Sequence, residues 1–126
     1  MSETSKRILV VDDDRDMLNL INTFLKDTDY EVITARRGDD ALEIIRENKV
    51  DLALIDGLIP QIHGFELCKK IKESDDIPRK PKVIIMSAVY KSLKYKFDTM
   101  KAYKADDYLV KPFTKEQLLE ILKKHL

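Results

Sequence analysis

The chain's 126 residues, 44% of them hydrophobic, suffice for one compact domain around one core, and its balance of 23 acids with 23 bases argues against a dedicated nucleic-acid binder. No apolar run approaches the ~20 residues of a membrane span, and the opening Met1-Ser2-Glu3-Thr4-Ser5-Lys6 lacks the apolar stretch of a secretory signal. The one cysteine, Cys68, cannot close an internal disulfide, which suits a reducing, cytoplasmic setting. Neutrality hides an asymmetry. Residues 1–60 hold 14 acids and 8 bases (net −6), residues 61–126 hold 9 acids and 15 bases (net +6), and much of the acidic excess sits at Asp12, Asp13, Asp14 and Asp16.

In chain order, the first apolar run is Ile8-Leu9-Val10-Val11, followed by a helical repeat at Met17, Leu20, Ile21 and Phe24. Next come Val32-Ile33-Thr34-Ala35 and a helix over Ala41, Leu42 and Ile45, then Leu52-Ala53-Leu54-Ile55 and a helix over Phe65, Cys68 and Ile71. After a loop-like stretch from Ser74 to Pro81 come Val83-Ile84-Ile85-Met86 and a helix over Leu93, Phe97 and Met100. Tyr108-Leu109-Val110 leads into a last helix with Leu118, Leu119, Leu122 and Leu126, where Thr114 and Gln117 form a capping box. The short runs are continuous and mostly β-branched, as expected of strands buried on both faces of a parallel sheet. Five βα units with right-handed crossovers place helices on both faces: an α/β, three-layer, doubly wound domain spanning 1–126.

In such sheets ligands sit beyond the carboxyl ends of the strands. The first strand is followed by Asp12 and Asp13, the third by Asp56, the fourth by Ser87 and the fifth by Lys111; only the second, followed by Arg36 and Arg37, stands outside the set. Three carboxylates that converge repel one another unless a cation intervenes. Lys111 supplies one charge, and a hard divalent ion such as Mg²⁺ would balance the rest. A phosphoryl group on one carboxylate would then give each residue a task, since phosphoryl transfer needs little beyond positioning and charge neutralisation. The plainer reading of an Asp after a strand is a helix N-cap.

The runs Val10-Val11-Asp12-Asp13-Asp14, Leu54-Ile55-Asp56, Pro60 with Gly64, Met86-Ser87-Ala88 and Asp107-Tyr108-Leu109-Val110-Lys111-Pro112-Phe113 resemble the response-regulator receiver domains of two-component signalling, over about Lys6 to Leu126. The resemblance implies a flavodoxin-like sheet of strand order 2-1-3-4-5 and Asp56 as phospho-acceptor. It makes Asp13 a direct ligand of Mg²⁺ (or Mn²⁺), Asp12 a partner ligand acting partly through water, and the Leu58 carbonyl the third protein ligand. Ser87 matches the switch hydroxyl, Ala88 a small residue beside the phosphoryl group, Lys111 the phosphoryl-contacting lysine, and Tyr108 the aromatic that turns inward on activation. The Lys111–Pro112 bond matches one that is cis. Ile59-Pro60 and Ile62 replace the family's methionines at nearly constant volume.

The implied function is a signalling switch that takes a phosphoryl group from a sensor histidine kinase or histidine phosphotransfer protein. Its output surface would be the face built by the fourth helix, fifth strand and fifth helix, against an unknown partner or effector. Apart from its own phosphorylation and slow dephosphorylation it would catalyse nothing. Leu58 and Val89, both apolar, are the positions from which a side chain would steer an attacking water. With no effector domain after Leu126, the sequence reads as a stand-alone receiver or a piece of a longer regulator. The competing reading is a pseudo-receiver, an interaction module that is never phosphorylated, although no pocket member is missing.

Other chemistries fit less well. A haloacid-dehalogenase-type phosphatase wants a second Asp where Leu58 stands, a Toprim-type site wants an Asp-x-Asp pair, and an FMN carrier wants hydroxyls where three acids would repel phosphate. Lys91, Lys94, Lys96, Lys101 and Lys104 read as a solvated helix face, with an acidic partner as the alternative. Leu18 and Leu25 read as core or as a docking surface for a kinase's helices near Phe113, Cys68 as core, and His63 and His125 as solvated.

Overall fold

The computed structural model describes residues 5–57, 64–77, 79–88, 101 and 103–126. Alternating strands and helices run as β1 (Arg7–Val11), α1 (Arg15–Leu25), β2 (Glu31–Ala35), α2 (Gly38–Glu47), β3 (Leu52–Asp56), α3 (Gly64–Glu73), β4 (Lys82–Ser87), β5 (Asp107–Val110) and α4 (Lys115–His125). The fourth helix expected over Leu93, Phe97 and Met100 lies outside the described residues, so α4 is the helix expected fifth.

All pairings are parallel and the sheet order is β2-β1-β3-β4-β5. Parallel strands need long crossovers, and helices on both faces bury each strand twice. Side chains alternate along a strand, so each strand feeds two cores. Leu9, Val11, Ala53, Ile55, Val83 and Ile85 pack with Ala41 and Ile45 of α2 and Leu67, Cys68 and Ile71 of α3. Ile8, Val10, Leu52, Leu54, Ile84 and Met86 pack against Leu18, Ile21 and Leu25 of α1 and Leu118 and Leu122 of α4. Full burial of each such side chain stabilises by roughly 1.5–3 kcal/mol. Besides Lys82 at the start of β4, exposure is found on the edge strands, at Thr34 of β2 and Val110 of β5.

The helix ends follow from local chemistry. Asp14 is the N-cap of α1, its carboxylate accepting from the Asp16 N–H. Thr114 caps α4 in the expected capping box with Gln117. The stripe of α1 differs from the repeat read from sequence: Leu20 is 39% exposed, whereas Leu18, Ile21 and Leu25 are buried. Burial of Leu18, Leu25 and Phe113 makes them core and removes them as a kinase-docking surface; Phe113 meets Phe24 edge-to-face at 6.5 Å. Cys68 is core as expected, and burial pushes its thiol up to about 12, too high for a nucleophile at neutral pH. No helix among the described residues is long and apolar enough to cross a membrane.

The start of α3 lies directly against the end of β3. The Gly64 N–H donates to the Gly57 carbonyl at 3.2 Å, and a Cβ at Gly64 would overlap the Asp56 carbonyl oxygen. Glycine is required there for close backbone approach. Gly64→Ala should therefore lower the unfolding free energy by about 2–3 kcal/mol in urea titration, because backbone rather than a flexible side chain must yield. Unchanged stability would show that α3 does not seat against β3.

Candidate functional site

Three consecutive acids follow β1, and the structure gives each a different task. Asp14 caps α1. Asp12 is fully buried: one carboxylate oxygen accepts from the Asp14 N–H at 3.0 Å and the other from the Lys111 ammonium at 2.8 Å. Asp13 is exposed, and among the described residues its carboxylate has no hydrogen bond or ion pair. The N-cap reading is thus correct for one acid and leaves two for other chemistry.

The strand order brings the tips together. β3 lies beside β1, so Asp56 at its end faces Asp12 and Asp13, and single carboxylate oxygens of the three lie within 4.8 Å of one another. Lys111, just past β5, bridges the group, 2.8 Å from Asp12 and 3.4 Å from Asp56. Backbone bonds fix the tips to each other: Asp12 N–H to Ala35 O (3.1 Å), Gly57 N–H to Met86 O (2.8 Å) and Lys111 N–H to Ser87 O (3.0 Å). Ser87 ends β4 and stands against Gly57, the residue after Asp56. The Lys111–Pro112 bond is cis.

Hard carboxylate oxygens from three residues, with one ammonium in contact among the described residues, fit a hard divalent cation such as Mg²⁺. A family model described as the response regulator receiver domain matches residues 8–123. The chain belongs to that family. Among curated relatives, the response regulator ArlR of Staphylococcus aureus is 35% identical over 113 residues, covering 90% of this chain and 49% of that protein. The probable transcriptional regulator ycf27 of Porphyra purpurea is 33% identical over 120 residues, covering 94% and 46%. The receiver chain thus spans about half the length of these relatives. Among solved structures, the chemotaxis response regulator CheY4 of Vibrio cholerae superposes with a TM-score of 0.87 at 31% identity, covering 98% of this chain and all of that one. A CheY-like receiver domain protein from Methanospirillum hungatei gives 0.81 at 33% identity, covering 96% and 93%.

Around this receiver pocket the remaining expected residues are placed as follows. Tyr108 and Ser87 are both buried, each 4% exposed. Ala88 is exposed. Leu58, Ile59-Pro60, Ile62, His63, Val89, Lys91, Lys94 and Lys96 lie outside the described residues. His125 is not solvated: its Nε2 is 2.8 Å from the Asp107 carboxylate, and both side chains are nearly buried. Arg36, set aside when the strand ends were compared, donates to the Asp13 carbonyl at 3.2 Å. The signal for it was strand order, which seats β2 beside β1.

Burial works against the Lys111 ammonium, but its hydrogen bond to Asp12 and the charges of Asp12 and Asp56 outweigh this, and its pKa is raised. A raised folded-state pKa stabilises the fold below the unfolded value of about 10.4, and that contribution fades as pH rises through the folded value. Lys111→Met strands the buried Asp12 carboxylate and should cost about 1–3 kcal/mol near neutral pH. The stability gap between wild type and variant should stay level from about pH 6 to pH 9 and close only above about pH 10.4. Denaturant titrations across pH read this directly; a gap already closing at pH 7 would mean that the ammonium is not held by the carboxylates.

Proposed function

We propose that this receiver domain accepts a phosphoryl group on Asp56 from the phosphohistidine of a sensor histidine kinase or a histidine phosphotransfer protein, and so acts as a signalling switch rather than an enzyme with a separate substrate. The observation that carries the reading is the meeting of Asp12, Asp13 and Asp56 within 4.8 Å, with Lys111 reaching two of them. Asp12, Asp13 and Asp56, with the Leu58 carbonyl by resemblance, would hold Mg²⁺ or Mn²⁺. When bound, that ion supplies charge neutralisation for the incoming phosphoryl oxygens. A carboxylate oxygen of Asp56 attacks phosphorus, the donor's N–P bond breaks, and the imidazole leaves with the bonding pair. The product is an acyl phosphate on Asp56.

The chain's own residues do the positioning. Lys111 sits closer to Asp12 than to Asp56, so it is held ready beside the acceptor and can turn to a phosphoryl oxygen without leaving the pocket. Phosphorylation adds about −1.5 to −2 charge at Asp56. Charge-assisted bonds from Lys111 and from the Ser87 hydroxyl, each worth roughly 1.5–3 kcal/mol, together reach the ~5.5 kcal/mol that moves a two-state equilibrium from 1:99 to 99:1. Ser87, drawn toward the phosphoryl group, would vacate space for the buried Tyr108 to fill, remodelling the face beside β5. The readout surface would include β5 and α4, which flank a groove of about 400 Å³ between Asp107–Val110 and Gln117, Glu120, Ile121 and Lys124. A cytoplasmic location accords with a kinase partner.

Intact-mass spectrometry after incubation with acetyl phosphate and Mg²⁺ should show one phosphoryl group on wild type, and none on Asp56→Asn or with the divalent ion chelated. Equal uptake by Asp56→Asn would overturn the assignment, and no uptake by a folded wild type would favour the pseudo-receiver. Leu58 and Val89, by resemblance the positions from which a side chain would steer a hydrolytic water, are both apolar. The phosphorylated wild type should therefore outlive its Leu58→Asn variant in a chase after donor removal; a half-life no longer than the variant's would count against this.

A further inference from the structure

Arg36 is the first residue after β2 and is exposed, yet its guanidinium does not go to an acid. Its Nη2 donates to the backbone carbonyl of Asp13 at 3.2 Å, its one partner among the described residues, while neighbouring Arg37 turns away to Asp39 at 3.3 Å. The contact lands on the loop that carries Asp12 and Asp13. We propose that Arg36 is a positioning residue for the divalent cation: it clamps the Asp13 backbone to the end of β2 and so presents the Asp12 and Asp13 carboxylates as a preformed pair. This rests on the cation reading of the pocket given above.

Besides the Lys111 contact to the Asp12 carboxylate, three contacts hold the loop, and they differ in kind. The Asp12 N–H is bonded to Ala35 O, which ties the loop's start to β2. The Asp14 N–H is bonded to the Asp12 carboxylate, which ties its end to its own beginning. Among the described residues, Asp13, between them, has only the Arg36 contact to fix its carbonyl. The choice of acceptor matters: a guanidinium on the Asp13 carboxylate would compete with a cation, whereas one on the carbonyl leaves both carboxylate oxygens open. Arg36 therefore brings the fifth strand tip into a pocket built by the other four.

Charge and positioning predict opposite signs, which makes the inference testable. A positive charge beside three carboxylates weakens cation binding, so if charge alone counted, removing it would tighten Mg²⁺. If the clamp dominates, removing it frees the loop and weakens Mg²⁺. The full chain carrying Arg36→Met, which keeps length but loses charge and donors, should bind Mg²⁺ about fivefold more weakly by calorimetric titration. Arg36→Lys, which keeps a cationic donor, should recover most of the loss. Unchanged or tighter binding in Arg36→Met overturns the inference, as does equal weakening in both variants, which would mark a general disturbance of the loop. A wild type that binds no Mg²⁺ removes the cation reading itself; a wild type that binds, with Arg36→Met unaffected, removes only the role of Arg36.

Discussion

The site turns on one shared charge: a single ammonium, Lys111, set between two carboxylates with a third alongside. Two unit charges 4 Å apart interact by about 4 kcal/mol at the effective dielectric of a protein surface, against about 1 kcal/mol in water. Lys111 can therefore hold Asp12 firmly and Asp56 partly, but Asp13 is left without a partner among the described residues. Counted over the described residues, the pocket keeps a residual negative charge at the point where the proposed chemistry must bring more. A divalent cation resolves that conflict, and the backbone bonds between neighbouring strand tips keep the carboxylates from relieving it by moving apart.

Strand order converts sequence into this geometry. The acids, the hydroxyl and the lysine all stand at the carboxyl ends of their own strands, so the sequence displays each at the end of an apolar run. The layers were legible for the same reason: short β-branched runs, alternating with helical repeats, leave a doubly wound parallel sheet as the packing that buries every strand twice. The division of labour within Asp12-Asp13-Asp14 was not legible from the local pattern and came only with the family resemblance. All three side chains can cap a helix or bind a cation, and the choice depends on which residue takes the extended backbone of the N-cap; that proves to be Asp14. The stripe of α1 was ambiguous in the same way, because Leu18 with Leu25 and Leu20 with Phe24 both fit a helical period. The face turned to the sheet decided for the first pair.

Contacts that close across the fold were the least visible. Arg36 touches Asp13 over 23 positions, and His125 reaches Asp107 over 18. Neither residue belongs to a local pattern, since the partner is set by which strands are neighbours and how far a helix returns along the sheet. His125 read as solvated because nothing within a helical turn could engage it; its partner is the first residue of β5.

The two ends of the sheet argue together for what the pocket is. The amino end is also acidic, with Asp51 before β3 and Asp106 and Asp107 at the start of β5. There each carboxylate has a hydrogen-bond donor and a cationic partner of the chain's own. Asp51 accepts from the Arg7 N–H at 2.8 Å and faces Arg79 at 3.2 Å, an ion pair whose geometry falls short of a hydrogen bond. Asp106 accepts from the Val83 N–H and pairs with Lys72, and Asp107 accepts from the Tyr108 N–H and meets His125 and Lys124. Buried charge is tolerated where it is paired and hydrogen-bonded. The same fold therefore closes acids at one end with its own groups and, at the other, gathers three within reach of one another, with Lys111 contacting two of them. A sheet built only for stability has no reason to treat its two ends differently; a sheet whose carboxyl end must receive a cation and an anion in turn does.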